Sequence, residues 1–220
     1  MARGVNLTHR VNIGCGRTPT RGWKNFDSSL AVRLAKVPLL PAMLVKLKLL
    51  TVAQQENLAF LREHTIEWAD ATTRIPLPSR SVEVLYTAHM LEHLDREEVR
   101  RFLLEARRIL IPGGILRIAV PDLRKKAAQY MTDGDADAFV ESTFLAKRRE
   151  KTPREKLRQL IVGDRHHLWM YDGPSLLECV KQAGFFDGRI LQPGVTTIPD
   201  PGPLDLYERG AESVFAEAKN

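Results

Sequence analysis

Short apolar runs alternate with longer amphipathic stretches along most of the chain. Runs rich in Val, Ile and Leu that end at Gly, Pro or Asp are typical of buried β-strands. The predicted strands are 10–13, 23–27, 65–69, 82–86 and 114–120, with two later candidates at 189–192 and 213–218. Seven strands spread over the whole chain predict a large sheet.

Helical periodicity lies between these strands. In 96–110 the apolar residues recur at the i, i+3, i+4 spacing of an amphipathic helix, and Pro112 lies just beyond its end. The stretch 174–183 repeats the pattern and is closed by Gly184. Strands that alternate with helices predict an α/β fold, here a Rossmann-like, seven-stranded and mostly parallel sheet with helices on both faces.

Two stretches do not fit this alternation. The stretch 30–61 is apolar and basic, and 136–160 is charged and helical. Both are interpreted as helical insertions beside the sheet of a single domain spanning 1–220. Three roles stay open for them: ordinary packing helices, a lid or acceptor-binding element, and a contact with a membrane surface or with a second copy in a homodimer.

Composition supports one globular domain. The 220 residues are 44% hydrophobic and 27% charged, which excludes a disordered or fibrous chain. No apolar run reaches the roughly 20 residues of a membrane helix, and the first residues lack the apolar core of a signal peptide. We therefore expect a cytoplasmic protein without integral membrane association. Cys15 and Cys179 are expected to be reduced thiols and suggest neither a disulfide framework nor a zinc site.

The net charge of +6 raises the question of a nucleic-acid partner. The Lys and Arg residues, however, are scattered over predicted helix faces, and no aromatic residues are interleaved with them for base stacking. We interpret them as solvated surface and expect no nucleic-acid partner.

Small and acidic residues follow the predicted strands. They are Gly14 and Gly16, Asp27, Asp70, Thr87 and His89, and Asp122. Ligands of open parallel sheets bind at the carboxyl ends of the strands. There the glycines would let a nucleoside approach the backbone, Asp27 would accept hydrogen bonds from ribose hydroxyls, and Asp70 would accept one from an adenine amino group.

Several motifs occur in a fixed order. They are VNIGCG from Val11 to Gly16, Trp23 with Asp27, Asp70 followed by Ile75-Pro76-Leu77-Pro78, Leu91-Glu92-His93-Leu94, LIPGG from Leu110 to Gly114, and Val120-Pro121-Asp122. In this order they resemble class I S-adenosylmethionine-dependent methyltransferases of the type 11 kind. The resemblance runs over about 10–122 and resumes at 171–185. Within that superfamily the chain looks most like a short bacterial branch whose members are often met beside polysaccharide-biosynthesis enzymes.

The resemblance implies S-adenosylmethionine as cofactor. It places the cofactor contacts at Ile13, Gly14, Cys15, Gly16, Asp27, Asp70, Ala71, Thr87, Ala88 and His89. Pro19 stands where a dinucleotide fingerprint needs a further glycine, which argues against NAD. The first crossover, 17–22, is too short for the usual helix.

A hydroxyl acceptor would need a general base as well as alignment with the methyl group. The candidates are His89, the pair His166 and His167, and Asp122. The histidine pair precedes Trp169 and Tyr171 in a stretch able to hold a sugar. For His93 we expect a role in capping and packing, and for His9 and His64 a place on the surface.

The leading hypothesis is therefore an O-methyltransferase for a hydroxyl of a small-molecule or oligosaccharide acceptor in polysaccharide biosynthesis. A lipid-like or natural-product hydroxyl is the alternative, because 37–50 is apolar. A nucleic-acid methyltransferase or an RNA-binding protein is disfavoured. Methyltransferases that modify amino groups of nucleic acids resemble one another in an N/D-P-P-[FYW] motif after the fourth strand, where this chain has Thr87-Ala88-His89-Met90. A divalent metal such as magnesium stays open. Asp122, Asp164 and the histidine pair could bind it, although no spacing demands one.

Overall fold

The computed structural model describes residues 10–46, 50–146 and 166–220. Within these ranges a single seven-stranded sheet has the order β3-β2-β1-β4-β5-β7-β6. Its strands are β1 (Arg10–Ile13), β2 (Lys24–Asp27), β3 (Ile66–Trp68), β4 (Val82–Ala88), β5 (Leu110–Pro121), β6 (Phe186–Leu191) and β7 (Ser213–Lys219). The first five are parallel, and β7 is antiparallel to both of its neighbours. The predicted fold class is confirmed.

Seven described α-helices accompany the sheet. They are α1 (Leu30–Ala35), α2 (Leu40–Lys46), α3 (Val52–Glu63), α4 (Arg96–Ile109), α5 (Leu123–Asp133), α6 (Ala136–Thr143) and α7 (Gly173–Gln182). Capping boxes at Thr51, Asp95 and Asp172 satisfy free N–H groups at the starts of α3, α4 and α7. These polar caps explain why each helix begins where it does.

One face of the sheet packs against α4 and α7. Leu85 and Leu116 of the central strands share a buried cluster with Phe102 of α4 and Leu176 of α7. This cluster forms the main core, and its helical side is the amphipathic face that the i, i+3, i+4 spacing predicts.

The opposite face is covered in two different ways. At the β3 end, α1 and α3 pack on Ile66. At the centre, Val84 and Tyr86 pack instead against Ile198 and Leu204 of the connection between β6 and β7. The described residues between β1 and β2 contain no helix, as predicted. A long connection from the end of the chain thus covers sheet surface that a crossover helix would otherwise bury.

A buried ion pair fixes that connection. Arg117 of β5 and Glu217 of β7 are register partners, and their Nη1 and Oε1 atoms are 2.6 Å apart. Glu217 also accepts hydrogen bonds from Thr196 and Thr197, and Arg117 donates to the carbonyl of Val195. The pair therefore ties the connection to the sheet.

The two predicted insertions are only partly described. The stretch 30–61 contains α1, α2 and most of α3, with Leu39 and Met43 exposed. Of the stretch 136–160, α6 and the residues to 146 are described, and the remainder lies outside the described ranges. No helix in those ranges combines the length and the apolar character needed to cross a membrane.

Candidate functional site

The strand order reverses next to β1, whose neighbours are β2 on one side and β4 on the other. In an open α/β sheet, a reversal of this kind leaves a crevice at the carboxyl ends of the strands. The structure places the predicted ligand residues at this edge: Gly14 and Gly16 after β1, Asp27 at the end of β2, Asp70 after β3, and Thr87 to His89 at the end of β4.

The turn after β1 is built around Asp27. The Gly16 N–H donates to Asp27 Oδ2 at 3.0 Å, and the Ser29 N–H donates to Oδ1 at 2.8 Å. Each carboxylate oxygen can accept a second hydrogen bond, as a ribose diol would require. Gly14 has φ of +68°, and a Cβ there would lie 2.9 Å from Cγ of Met90. Only glycine fits this position without displacing Met90.

Asp70 organises the turn after β3. Its Oδ1 accepts hydrogen bonds from the Thr72 N–H at 2.9 Å and the Thr72 hydroxyl at 2.7 Å, which is an Asx-turn. Among the described residues Oδ2 receives no hydrogen bond, and the neighbouring Ala71 is buried. One oxygen therefore shapes the loop while the other can meet a ligand.

The end of β4 holds two buried polar side chains. The Thr87 hydroxyl has no hydrogen-bond partner in the part of the chain that the structure describes. His89 has a left-handed backbone with φ of +51°. Its Nδ1 is 3.1 Å from Glu92 Oε1 and its Nε2 is 3.1 Å from the Ser213 hydroxyl. An ionised Glu92 can only accept, so Nδ1 carries the proton and Nε2 is the acceptor.

Glu92 is a residue that the sequence reasoning missed. It lies between Leu91 and His93 in a one-turn 3₁₀-helix and is only 1% exposed. The available signal was a carboxylate inside the apolar LEHL run, because such a group is rarely buried without a partner. The sequence suggested capping and packing for this run, and the structure adds an acid–imidazole contact.

The predicted histidine pair lies in a loop that contacts Glu92 and His93. His93 Nδ1 lies 3.0 Å from the His166 carbonyl, and the His167 ring packs edge-on against the His93 ring at 5.1 Å. The Leu168 N–H donates to the Glu92 carbonyl at 2.6 Å. Burial lowers the pKa of His167, and nearby His93 adds to that effect against the opposing charge of Glu92. The described part of this loop, from His166 onward, is thus attached directly to the segment after β4.

Asp122 directly follows β5, as predicted, and makes structural contacts there. Its Oδ1 accepts from the Arg124 N–H at 2.9 Å and caps α5. Its backbone forms a parallel bridge to Tyr171. Trp169, which is 45% exposed, lies in the same loop with the Arg96 guanidinium 5.2 Å from its ring centroid. The loop that contains the exposed Trp169 ring is therefore joined to the end of β5 through Tyr171.

The described ranges include only some of the remaining candidates. His64 is exposed and stacks on Phe60. His9 and Asp164 lie outside the described residues. Cys15 and Cys179 are both free and buried.

Comparison with known proteins shows what the chain resembles. Residues 11–118 match a family model described as a methyltransferase domain, and this range includes every candidate at the ends of β1 to β4. No curated protein matches the chain.

Two solved structures are similar to the chain at low sequence identity. A methyltransferase from Thermotoga maritima, described as S-adenosylmethionine-dependent and as a possible histamine N-methyltransferase, is 17% identical with a TM-score of 0.50. The alignment covers 96% of this chain and 81% of that one. An S-adenosylmethionine-dependent methyltransferase from Mesorhizobium loti is 16% identical with a TM-score of 0.49, covering 99% and 93%.

Proposed function

We propose that this S-adenosylmethionine-dependent methyltransferase transfers its methyl group to a hydroxyl of a sugar or oligosaccharide. The methyltransferase activity is the premise, and the match to a methyltransferase domain supports it. The exposed Trp169 ring, in the loop whose Tyr171 pairs with Asp122, carries the proposal for the acceptor. A sugar has an apolar C–H face that can lie on an aromatic ring and hydroxyls that can bond to neighbouring polar groups.

The cofactor would lie along the carboxyl ends of β1 to β4. Ile13 to Gly16 would form the floor, Asp27 would take the ribose hydroxyls, and Asp70 with Ala71 would take the adenine. Thr87 to His89 would contact the methionine end. Three features of the described residues fit this group: the close approach allowed at Gly14, and the absence, among those residues, of a partner for Asp70 Oδ2 and for the Thr87 hydroxyl.

Bound S-adenosylmethionine supplies a sulfonium-activated methyl group, so the chain's own task is alignment and proton removal. We assign the general base to His89 because Glu92 holds its Nδ1 and leaves Nε2 as the accepting nitrogen. The Ser213 hydroxyl now bonds to Nε2, and an acceptor hydroxyl would take its place. The other candidates, Asp122, His166 and His167, would then shape the acceptor side.

The decisive experiment incubates the protein with labelled S-adenosylmethionine and a panel of mono- and oligosaccharides. Transfer of label to a saccharide hydroxyl, located by mass spectrometry, would support the proposal. Label that reaches only acceptors of another class would contradict the sugar assignment and leave the methyltransferase activity standing. The variant Asp27→Ala should lose cofactor binding in calorimetry, whereas Asp133→Ala, at an exposed acid on α5, should bind like the wild type.

A lipid-like or natural-product hydroxyl is the second candidate. It is favoured by the exposed apolar side chains of 37–46, where Leu39 is 81% exposed and Met43 is 51% exposed. Activity that requires detergent or liposomes, and that Leu39→Ser with Met43→Ser abolishes, would favour this acceptor over a sugar. The proposal also places the protein in the cytoplasm. Two buried free thiols fit that reducing compartment.

A further inference from the structure

Glu92, His93 and His167 bring three metal-ligating groups together, outside the set of residues assigned to the cofactor. Their candidate ligand atoms all lie within 4.8 Å of one another. Two of them come from the 3₁₀-turn after β4 and the third from the loop before α7. We infer that these three side chains form a binding site for a divalent transition-metal ion.

Buried polar atoms without partners are the first observation that carries this inference. Glu92 Oε2 and His167 Nδ1 are both buried, and within the described ranges neither has a hydrogen-bond partner. A buried polar group that lacks a partner is costly, and such groups are uncommon in folded proteins. An ion bound between them would satisfy both atoms at once.

The contacts around the cluster are those that orient metal ligands. His93 Nδ1 is 3.0 Å from the His166 carbonyl. Because a carbonyl can only accept, Nδ1 carries the proton and Nε2 has the free lone pair that a metal needs. The other Glu92 oxygen, Oε1, is held by His89. Each of these two ligands thus has a second contact that fixes its orientation.

The donor set identifies the class of ion. Two imidazoles and one carboxylate suit zinc and related transition metals, whereas magnesium prefers oxygen ligands. The ligand atoms of a tetrahedral zinc ion lie about 3.3 Å apart. The three ligand atoms here would therefore have to approach one another by at most about 1.5 Å. Three protein ligands leave a fourth coordination position open. This site differs from the magnesium ligands that the sequence left open, because it contains Glu92 and His93 and does not use Asp122.

The test is metal binding by the full, untagged chain, which does not depend on methyl transfer or on the acceptor. Protein dialysed against a chelator is titrated with zinc chloride in a calorimeter, and cobalt is used as a spectroscopic probe of coordination by nitrogen and oxygen. We expect one equivalent of zinc to bind and to raise the melting temperature. His167→Gln should weaken binding by at least about 100-fold, since changes in outer-shell residues alone reduce affinity about 10- to 100-fold.

Controls separate this site from adventitious binding. His64→Gln removes an exposed histidine far from the cluster in sequence and should bind zinc like the wild type. If His167→Gln does not fold, as judged by circular dichroism without metal, His93→Gln is tested in its place. The inference is overturned if the wild type binds no stoichiometric zinc, or if the cluster variant and His64→Gln bind it equally well.

Discussion

Gly14 and Gly16 share a left-handed backbone but have different surroundings. Their φ angles are +68° and +49°. A Cβ at Gly14 would lie 2.9 Å from Met90, whereas a Cβ at Gly16 would meet nothing within 4 Å. Left-handed backbone costs a non-glycine residue about 1–2 kcal/mol. Gly16→Ala should therefore lose about that much stability, and Gly14→Ala should lose more and also bind cofactor worse.

Urea unfolding and calorimetry with S-adenosylmethionine check this pair. Adding Met90→Ala to Gly14→Ala should recover part of the loss, because it removes the atoms that the new methyl group meets. Equal destabilisation by the two alanines would show that the contact with Met90 is unimportant.

The proposed base can be tested at His89 and Ser213. His89→Gln keeps a polar side chain of similar length but cannot take a proton, so methyl transfer should fall by about 100- to 10,000-fold. Ser213→Ala removes only the hydroxyl that now bonds to His89 Nε2 and should leave most of the activity. Single-turnover transfer rates, with cofactor saturating in each variant, are the measurement. A His89→Gln enzyme as fast as the wild type would exclude His89 as the base.

For single residues, the sequence was enough to identify most of those at the sheet edge, but not how they contact one another. The Gly, Asp and His positions could be found because each follows an apolar strand. Glu92 could not be found in this way, because it follows no strand. Ser213, the other partner of His89, could not be found either, since it lies 124 positions from His89 in the sequence. Contacts of that kind depend on the tertiary arrangement of the chain.

Asp122, at the start of α5, both caps the helix and is a candidate for the general base. Asp122 Oδ1 caps the helix by accepting from the Arg124 N–H. Asparagine caps about as well as aspartate but cannot act as a base, whereas alanine loses about 1 kcal/mol of capping. With His89 as the base, Asp122→Asn should keep both stability and activity, and Asp122→Ala should lose stability. A 100-fold loss of activity in a stable Asp122→Asn protein would transfer the role of base to Asp122.

The β6–β7 connection should depend on the charge of Glu217. Burial alone would raise the pKa of Glu217, but hydrogen bonds from Thr196, Thr197 and Arg117 outweigh it and lower the pKa. A carboxyl whose folded pKa is lowered adds stability above its ordinary pKa of 4.5, and this stability is lost as pH falls through the folded pKa. At neutral pH, Glu217→Gln should cost about 3–5 kcal/mol, because Arg117 stays buried without its partner charge.

Urea unfolding over a range of pH measures this effect. The difference in unfolding free energy between wild type and Glu217→Gln should become smaller as the pH falls below 4.5, the ordinary pKa of a glutamate side chain. Glu97→Gln is the matched control, because Glu97 pairs with Arg100 on the exposed side of α4 and should change stability little at any pH. A gap that stays constant with pH would mean that the Glu217 charge does not hold the connection.

Element boundaries were predicted best where one face is buried. The helix predicted over 96–110 and the observed Arg96–Ile109 differ by one residue, because its apolar stripe and its capping residues agree. The strand predicted at 189–192 is Phe186–Leu191 in the structure. Its residues are exposed or half-buried, so no alternation marks where this edge strand begins.

For the whole molecule, alternation of strands and helices was enough to predict the sheet but not its strand order. Periodicity reports which face of an element is buried, not which strand is its neighbour. The placement of β7 between β5 and β6 follows from pairing over long sequence distances, such as Ile115 with Lys219. The cover provided by Ile198 and Leu204 was also not predictable, since 192–212 contains neither a helix nor a strand in the structure.

Ligand binding should be visible in the stability of the entire domain. A ligand at 100 times its dissociation constant stabilises the folded state by about 2.7 kcal/mol. For a chain of this length about 1 kcal/mol corresponds to roughly 2–4 °C, so S-adenosylhomocysteine should raise the melting temperature by about 5–11 °C. NAD at the same concentration should give no shift, because the turn after β1 has Pro19 where a dinucleotide site needs glycine. Asp27→Ala at the same free ligand should lose the increase, since its carboxylate both shapes the turn and faces the ribose in the proposed site. A shift with NAD alone would contradict the cofactor assignment, and an undiminished shift in Asp27→Ala would contradict only the role given to Asp27.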